Sequence, residues 1–353
     1  ARGDRVGACQ EDRVRGGGRG GRGARRRGVR GPAGVARGGG SGRAGDGGAR
    51  GGAGRQALQE FNVAAGGREG DAEILEAVAY IRRRQGHWDE SIAAMDKALA
   101  LNPRNSSLAT SLSETYETLR RYPQAMRFID IAISLAPDVT TLNGPKALLQ
   151  VKVDGNTRAA RDTLRKVDPR EDQDLPWLEV YMDILDGRNA EALDRLAKIP
   201  SDVLDNQSFY FPKPLQAGLI HLATNDGARA RVACESARQV LEKEIAKSPR
   251  DPRVRTSLGM ALACLGRKEE AVREARLAAD ISPVSSDALA GPQFLETLAS
   301  VYAMVGDSDA AIDLLDRLLA MPSGTAVTLL KLDPAWKPLW KLPRFQKLME
   351  KYE

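Results

Sequence analysis

The sequence predicts an all-α protein, a right-handed α-solenoid of antiparallel helix pairs stacked side by side. Three observations carry this prediction. A 34-residue period recurs along the chain, aromatic residues make up only 5% of it, and small residues return wherever two helices would have to approach closely. A unit of that length cannot bury its apolar face alone, so successive units must cover one another.

The period is clearest in two adjacent stretches. Residues 72–105 read AEILEAVAYIRRRQGHWDESIAAMDKALALNPRN, and residues 106–139 read SSLATSLSETYETLRRYPQAMRFIDIAISLAPDV. In register, Ala98 falls on Ala132, Leu101 on Leu135, Pro103 on Pro137 and Trp88 on Tyr122. Each stretch reads as two amphipathic helices, broken at Gly86 or Arg120 and stopped by Pro103 or Pro137. The same order of small, large and stopping residues returns in 252–285, with Leu258, Gly259, Gly266, Ala271, Ala278 and Pro283. It returns again in 292–325, with Leu295, Leu298, Ala299, Tyr302, Gly306, Ala311 and Leu315. Between these lie looser units at about 141–172 (Gly155, Ala160, Leu164), 173–205 (Trp177, Tyr181, Gly187, Ala192, Leu196) and 211–250 (Gly218, Ala230, Cys234, Ala237).

On these residues the chain resembles the tetratricopeptide repeat family. The resemblance implies a superhelix whose first helices line a concave groove, and a partner protein or peptide held in that groove. The closing segment LLKLDPAWKPLWKLPRFQKLMEKYE, 329–353, is similar to the end of bacterial repeat proteins associated with Ser/Thr kinases, adenylate cyclases or winged-helix regulators. Its own pattern agrees with a cap, since Pro343 opens a helix in which Phe345, Leu348, Met349 and Tyr352 share one face. Trp336 and Trp340 are expected on the same surface. The expected organisation is therefore a low-complexity segment at 1–55, an array at 56–325 comprising a half repeat and about seven helix pairs, and a cap at 326–353.

Charge divides the chain unevenly. Residues 1–55 carry 14 Arg and four acidic residues, a net of +10, which leaves −4 for 56–353. A global basic surface for nucleic acid does not follow. Stretches such as RGGGRGGRGARRRG lack the aromatics that stack bases, and Gly and Arg dominate them. They read as a disordered linker or as an out-of-frame translation. The half repeat's second helix is visible at Ala57, Phe61 and Ala64, but its first would fall in GGGSGRAGDGGARGG, where each Gly costs about 1 kcal/mol of helix. The alternative function is an RNA-associated protein that uses this arm.

Nothing in the sequence assembles a catalytic, cofactor or metal site. The two histidines, His87 and His221, lack neighbouring ligands, and Glu269, Glu270, Asp307 and Asp309 sit at helix starts where carboxylates favour the dipole. Cys9, Cys234 and Cys264 form no close pair, so they read as free thiols in a reducing, cytoplasmic protein. No apolar run approaches the ~20 residues of a membrane span. The chain starts with Ala1, and loss of an upstream effector domain is a third expectation.

Register nominates the groove. Its candidate lining is Glu76, Tyr80, Ser111 and Glu114 in the first two units, Trp177, Tyr181, Leu215 and Leu219 in the middle, and Met260 and Ser300 beyond. Glu76, Tyr80 and Ser111 stand where the family members that clamp a terminal carboxylate would need some of their Lys, Asn and Arg, so the resemblance does not extend to that subtype. Trp177 and Tyr181 read equally as a hydrophobic anchor site or as inter-repeat core.

Overall fold

The computed structural model describes residues 71–168, 172 and 174–353. The expectations for 1–55 and for the half repeat at Ala57, Phe61 and Ala64 lie outside the described residues. Within them the fold is an α-solenoid of seven helix pairs. These are α1 (Ala72–Arg84) with α2 (Trp88–Leu101), α3 (Ser106–Thr118) with α4 (Tyr122–Leu135), and α5 (Asn143–Asp154) with α6 (Arg158–Leu164). Next come α7 (Leu175–Leu185) with α8 (Asn189–Lys198), and α9 (Lys213–Ala223) with α10 (Gly227–Lys247). The last two are α11 (Pro252–Cys264) with α12 (Lys268–Ile281) and α13 (Gly291–Val305) with α14 (Ser308–Ala320). Two short helices close the chain, α15 (Val327–Leu332) and α16 (Pro343–Tyr352).

Local chemistry sets these boundaries. Asp71, Asn105, Asp226, Asp251 and Asp307 each accept a backbone N–H with the side chain at a helix start, worth about 1 kcal/mol apiece. The turn inside each pair needs one left-handed residue. Gly86 supplies it in the first pair, whereas Arg120, one period later, holds φ 55° without that freedom. Small residues then let the helices of a pair touch. A Cβ on Gly259 would meet the Ala271 carbonyl at 3.1 Å, and one on Gly218 would lie 2.3 Å from Cys234 Sγ.

Two features depart from the sequence reading. Cys234 on α10 and Cys264 on α11 are joined by a disulfide, their Cα atoms 6.3 Å apart, and are not free thiols. Their separation of 30 residues hid the pairing, because the second helix of one pair packs beside the first helix of the next. The chain also contains a β-hairpin, with β1 (Val203–Asp205) antiparallel to β2 (Tyr210–Pro212). It lies against α11 and α13: Ser257 Oγ donates to the Tyr210 carbonyl at 2.6 Å, and Gln293 Nε2 donates to that of Ser208 at 2.7 Å. Pro212 ends the strand and Pro214 sits in the first turn of α9, where its missing N–H is harmless.

The main core runs through α9–α14 into α16, where Phe345, Leu348 and Met349 are buried. Each contributes roughly 1.5–3 kcal/mol by leaving water. Around them, Arg344 pairs with Asp309 and Asp313 of α14, and Tyr352 donates to Asp316 at 2.8 Å. The final helix thus covers the side of α14 that no further repeat would cover. Trp336 is buried in the same core, and Trp340 Nε1 donates to the Leu330 carbonyl at 2.9 Å.

Candidate partner-binding face

The first helices of successive pairs bring their polar side chains together. Between α1 and α3, Tyr80 donates to Glu76 at 2.6 Å, Ser111 donates to Tyr80 at 3.2 Å, and Asn105 donates to Glu76 at 3.0 Å. Arg83 bridges to Glu114 at 3.1 Å and to the Ser111 carbonyl at 3.2 Å, with its guanidinium 5.4 Å from the Tyr80 ring centre. Burial, with Glu76 beside it, pushes the Tyr80 phenol up to about 12, so it stays a neutral donor. Glu73 and Glu114 remain exposed, which leaves the open part of the cluster acidic.

Farther along, the same face meets the chain's own C-terminal region. Arg120 reaches from its left-handed turn to the ends of α14 and the segment after it. Nε donates to the Thr325 carbonyl at 3.0 Å, one terminal nitrogen donates to the Met321 carbonyl at 3.0 Å, and the other donates to the Leu318 carbonyl and Ser323 Oγ, each at 2.8 Å. Helix ends leave such carbonyls unpartnered, so a guanidinium there stabilises. Lys152 of α5 pairs with Glu117 of α3 at 2.6 Å and donates to the Gly324 carbonyl at 2.9 Å. In return, Thr328 donates to the Lys152 carbonyl at 2.6 Å, and the Ser323 amide donates to that of Thr118 at 3.0 Å.

A buried polar line completes the seat. Tyr181 of α7 donates to Asp333 at 2.8 Å, and Thr325 donates to Glu296 of α13 at 2.6 Å. Burial pushes the Tyr181 phenol well above its ordinary value and raises both the Asp333 and Glu296 carboxyls. Burial works to lower the Lys152 ammonium, but Glu117 outweighs it and holds the group above its usual range. Apolar contacts flank this line, as Leu329 and Leu332 pack with Ala147, Val151 and Met182 of α5 and α7.

The ten nominated residues therefore separate. Glu76, Tyr80, Ser111 and Glu114 form one connected cluster. Trp177 is instead core, packed with Val180, Leu196 and Ile220, because α7 turns its indole toward α8 and α9. Leu215 is fully buried within the main core, and Ser300 of α13 is nearly fully buried. Leu219 and Met260 lie against that core, partly buried, and Tyr181 faces the chain's own Asp333. Arg120 and Lys152 escaped nomination. A signal for Arg120 was present, since it stands where Gly86 stands one period earlier.

A second ionic centre lies between α6, α7 and α8. Asp183 is buried and accepts from Arg161, Arg188 and Arg195, each at 2.9 Å, beside an open cavity of about 380 Å³ lined by Leu164 and Glu179 among others. Burial works to raise the Asp183 carboxyl, but hydrogen bonds from Arg195 and Arg161 hold it below its usual value. With Asp186 and Glu179 also paired to these arginines, the charges balance within the cluster.

Residues 72–105 and residues 215–286 match family models described as tetratricopeptide repeat. No curated protein sequence matches the chain. Among solved structures, it is similar to PilW, a widely conserved type IV pilus biogenesis factor, at 15% identity over 70% of this chain and 92% of that one, with a TM-score of 0.32. It is also similar to the MamA protein, at 18% identity over 61% and 93%, with a TM-score of 0.27. A third likeness is a tetratricopeptide repeat protein from Parabacteroides merdae, at 11% identity over 81% and 92%, with a TM-score of 0.34. The chain thus carries tetratricopeptide repeats in two separate segments, 72–105 and 215–286.

Proposed function

We propose that this protein is a non-catalytic interaction module that holds a segment of a partner protein on the concave face of its first two helix pairs. The observation that carries the reading is the α1–α3 cluster, where Glu76, Tyr80 and Ser111 are tied into one geometry while Glu73 and Glu114 stay exposed. An exposed acidic rim around fixed donors and acceptors favours an extended segment bearing Lys or Arg. In the middle of the face, Trp177 and Leu215 are consumed by packing and are not free to serve as a hydrophobic anchor. The likeness of 329–353 to bacterial regulatory proteins supports a role in such a protein. The disulfide between Cys234 and Cys264 supports work in an oxidising compartment over the cytoplasm expected from the sequence.

Selection of displayed peptides on the full chain tests this. Bound sequences should be enriched in Lys and Arg, and Glu114→Lys should weaken them at least tenfold, about 1.4 kcal/mol. Selected peptides without basic residues, or binding indifferent to Glu114→Lys and Tyr80→Ala together, would refute the reading.

A further inference from the structure

We infer that the face formed by Arg120, Lys152 and Tyr181 is a second peptide-binding site, and that the chain's own segment Met321–Asp333 is its built-in occupant. The ligand class is read from that occupant: the carbonyls that follow a helix C-terminus, then a six-residue helix that ends at an aspartate.

The chemistry of the seat is that of recognition. Arg120 and Lys152 spend their donors on main-chain carbonyls of Leu318, Met321, Gly324 and Thr325, and Tyr181 donates to the Asp333 carboxylate. Main-chain carbonyls are common to every polypeptide, so the seat reads backbone shape and one acidic side chain. Arg120 also accepts a left-handed backbone, which is costly for a non-glycine residue, at a turn where Gly86 serves in the preceding pair. Turn formation alone does not require arginine there, whereas holding the segment does. The segment lies between α14 and the buried Trp336, both anchored in the main core, and its own Leu330 is buried there too. Its release would uncover Leu330 and break the Trp340 bond to the Leu330 carbonyl while α14 and Trp336 keep their places. α15 has only six residues, and a helix that short is not stable apart from its seat.

The inference rests on the interaction-module reading but uses a different cluster, so the two can fail separately. The probe is a labelled synthetic peptide of residues 315–334 added to the full chain, with amide hydrogen exchange followed in parallel. Thr325→Val with Asp333→Asn weakens the occupant while leaving the seat intact. In that variant, exchange of Ser323 through Leu330 should rise at least tenfold with α1–α4 unchanged, and the added peptide should bind at least tenfold tighter than to the unaltered chain. Arg120→Gly keeps the turn and removes the seat, so it should raise exchange of the same amides without any gain in peptide binding. Exchange of 321–333 in step with the α3 core in every variant would overturn the inference. So would an opened segment that gives the added peptide no better binding. The Glu114→Lys result, read on basic peptides, reports on the α1–α3 cluster alone.

Discussion

At the scale of single residues, the decisive groups are charges taken out of water and then answered. Asp183 is the strictest case, with a side chain only 2% exposed and three arginines on it. Asp183→Asn should cost about 3 kcal/mol in urea unfolding, because the arginines would lose the carboxylate that their positions depend on. The sign of its pH dependence follows from its lowered native pKa. That stability is present above the ordinary carboxylate value near ~4 and disappears as pH falls through the native value. Asp333 and Glu296 act in the opposite sense. Their native values are raised, so they stabilise fully at low pH and lose that contribution as pH rises through the raised values. Asp333→Asn should therefore flatten the decline in stability above about pH 4, measured by urea midpoints across a pH series. An unchanged pH profile in that variant would show that Asp333 is not the titrating group.

At the scale of elements, the helix pairs were readable because their pattern is local. Spacing of Ala98 against Ala132, or Gly259 before Ala271, encodes close approach within about a dozen residues or one period. The β-hairpin was not readable, since its two strands of three residues carry too little alternation and are held by Ser257 and Gln293 from distant helices. The disulfide was hidden for the same reason. It closes a 30-residue loop, which should stabilise by about 3–4 kcal/mol if the loop is free in the unfolded chain. Cys264→Ser should lower the urea midpoint accordingly and leave α1–α4 protected in hydrogen exchange. Gly218→Ala tests the same contact from the other side. Its new Cβ would press on Cys234 Sγ, so a loss of about 1–3 kcal/mol is expected by thermal unfolding.

At the scale of the whole molecule, the contacts between Arg120 and residues 318–325 join parts of the chain about 200 positions apart. A plain repeat array contacts only its neighbours and can unfold from either end. Here the first pairs are tied to the last, with Arg84 paired to Asp287 and its carbonyl accepting from the Ala288 amide at 2.7 Å. Truncation after Ala320 removes Arg120's partners at Met321, Ser323 and Thr325 together with the cap, and leaves of these ties only the Arg84 contacts and the Leu318 carbonyl. A single urea transition should therefore split into two, resolved by circular dichroism and tyrosine fluorescence. Periodicity could predict the stack but not this return, because a repeat pattern specifies how neighbours pack and says nothing about which distant segment will lie across them.

That return has a consequence during synthesis. Arg120 leaves the ribosome long before Thr325 exists, and at roughly 5–20 residues per second the interval is on the order of 10–40 s. In that time Arg120, and then Lys152 and Tyr181 as they follow, are made before their partners exist, so a newborn chain offers to its surroundings a surface that the finished one keeps for itself.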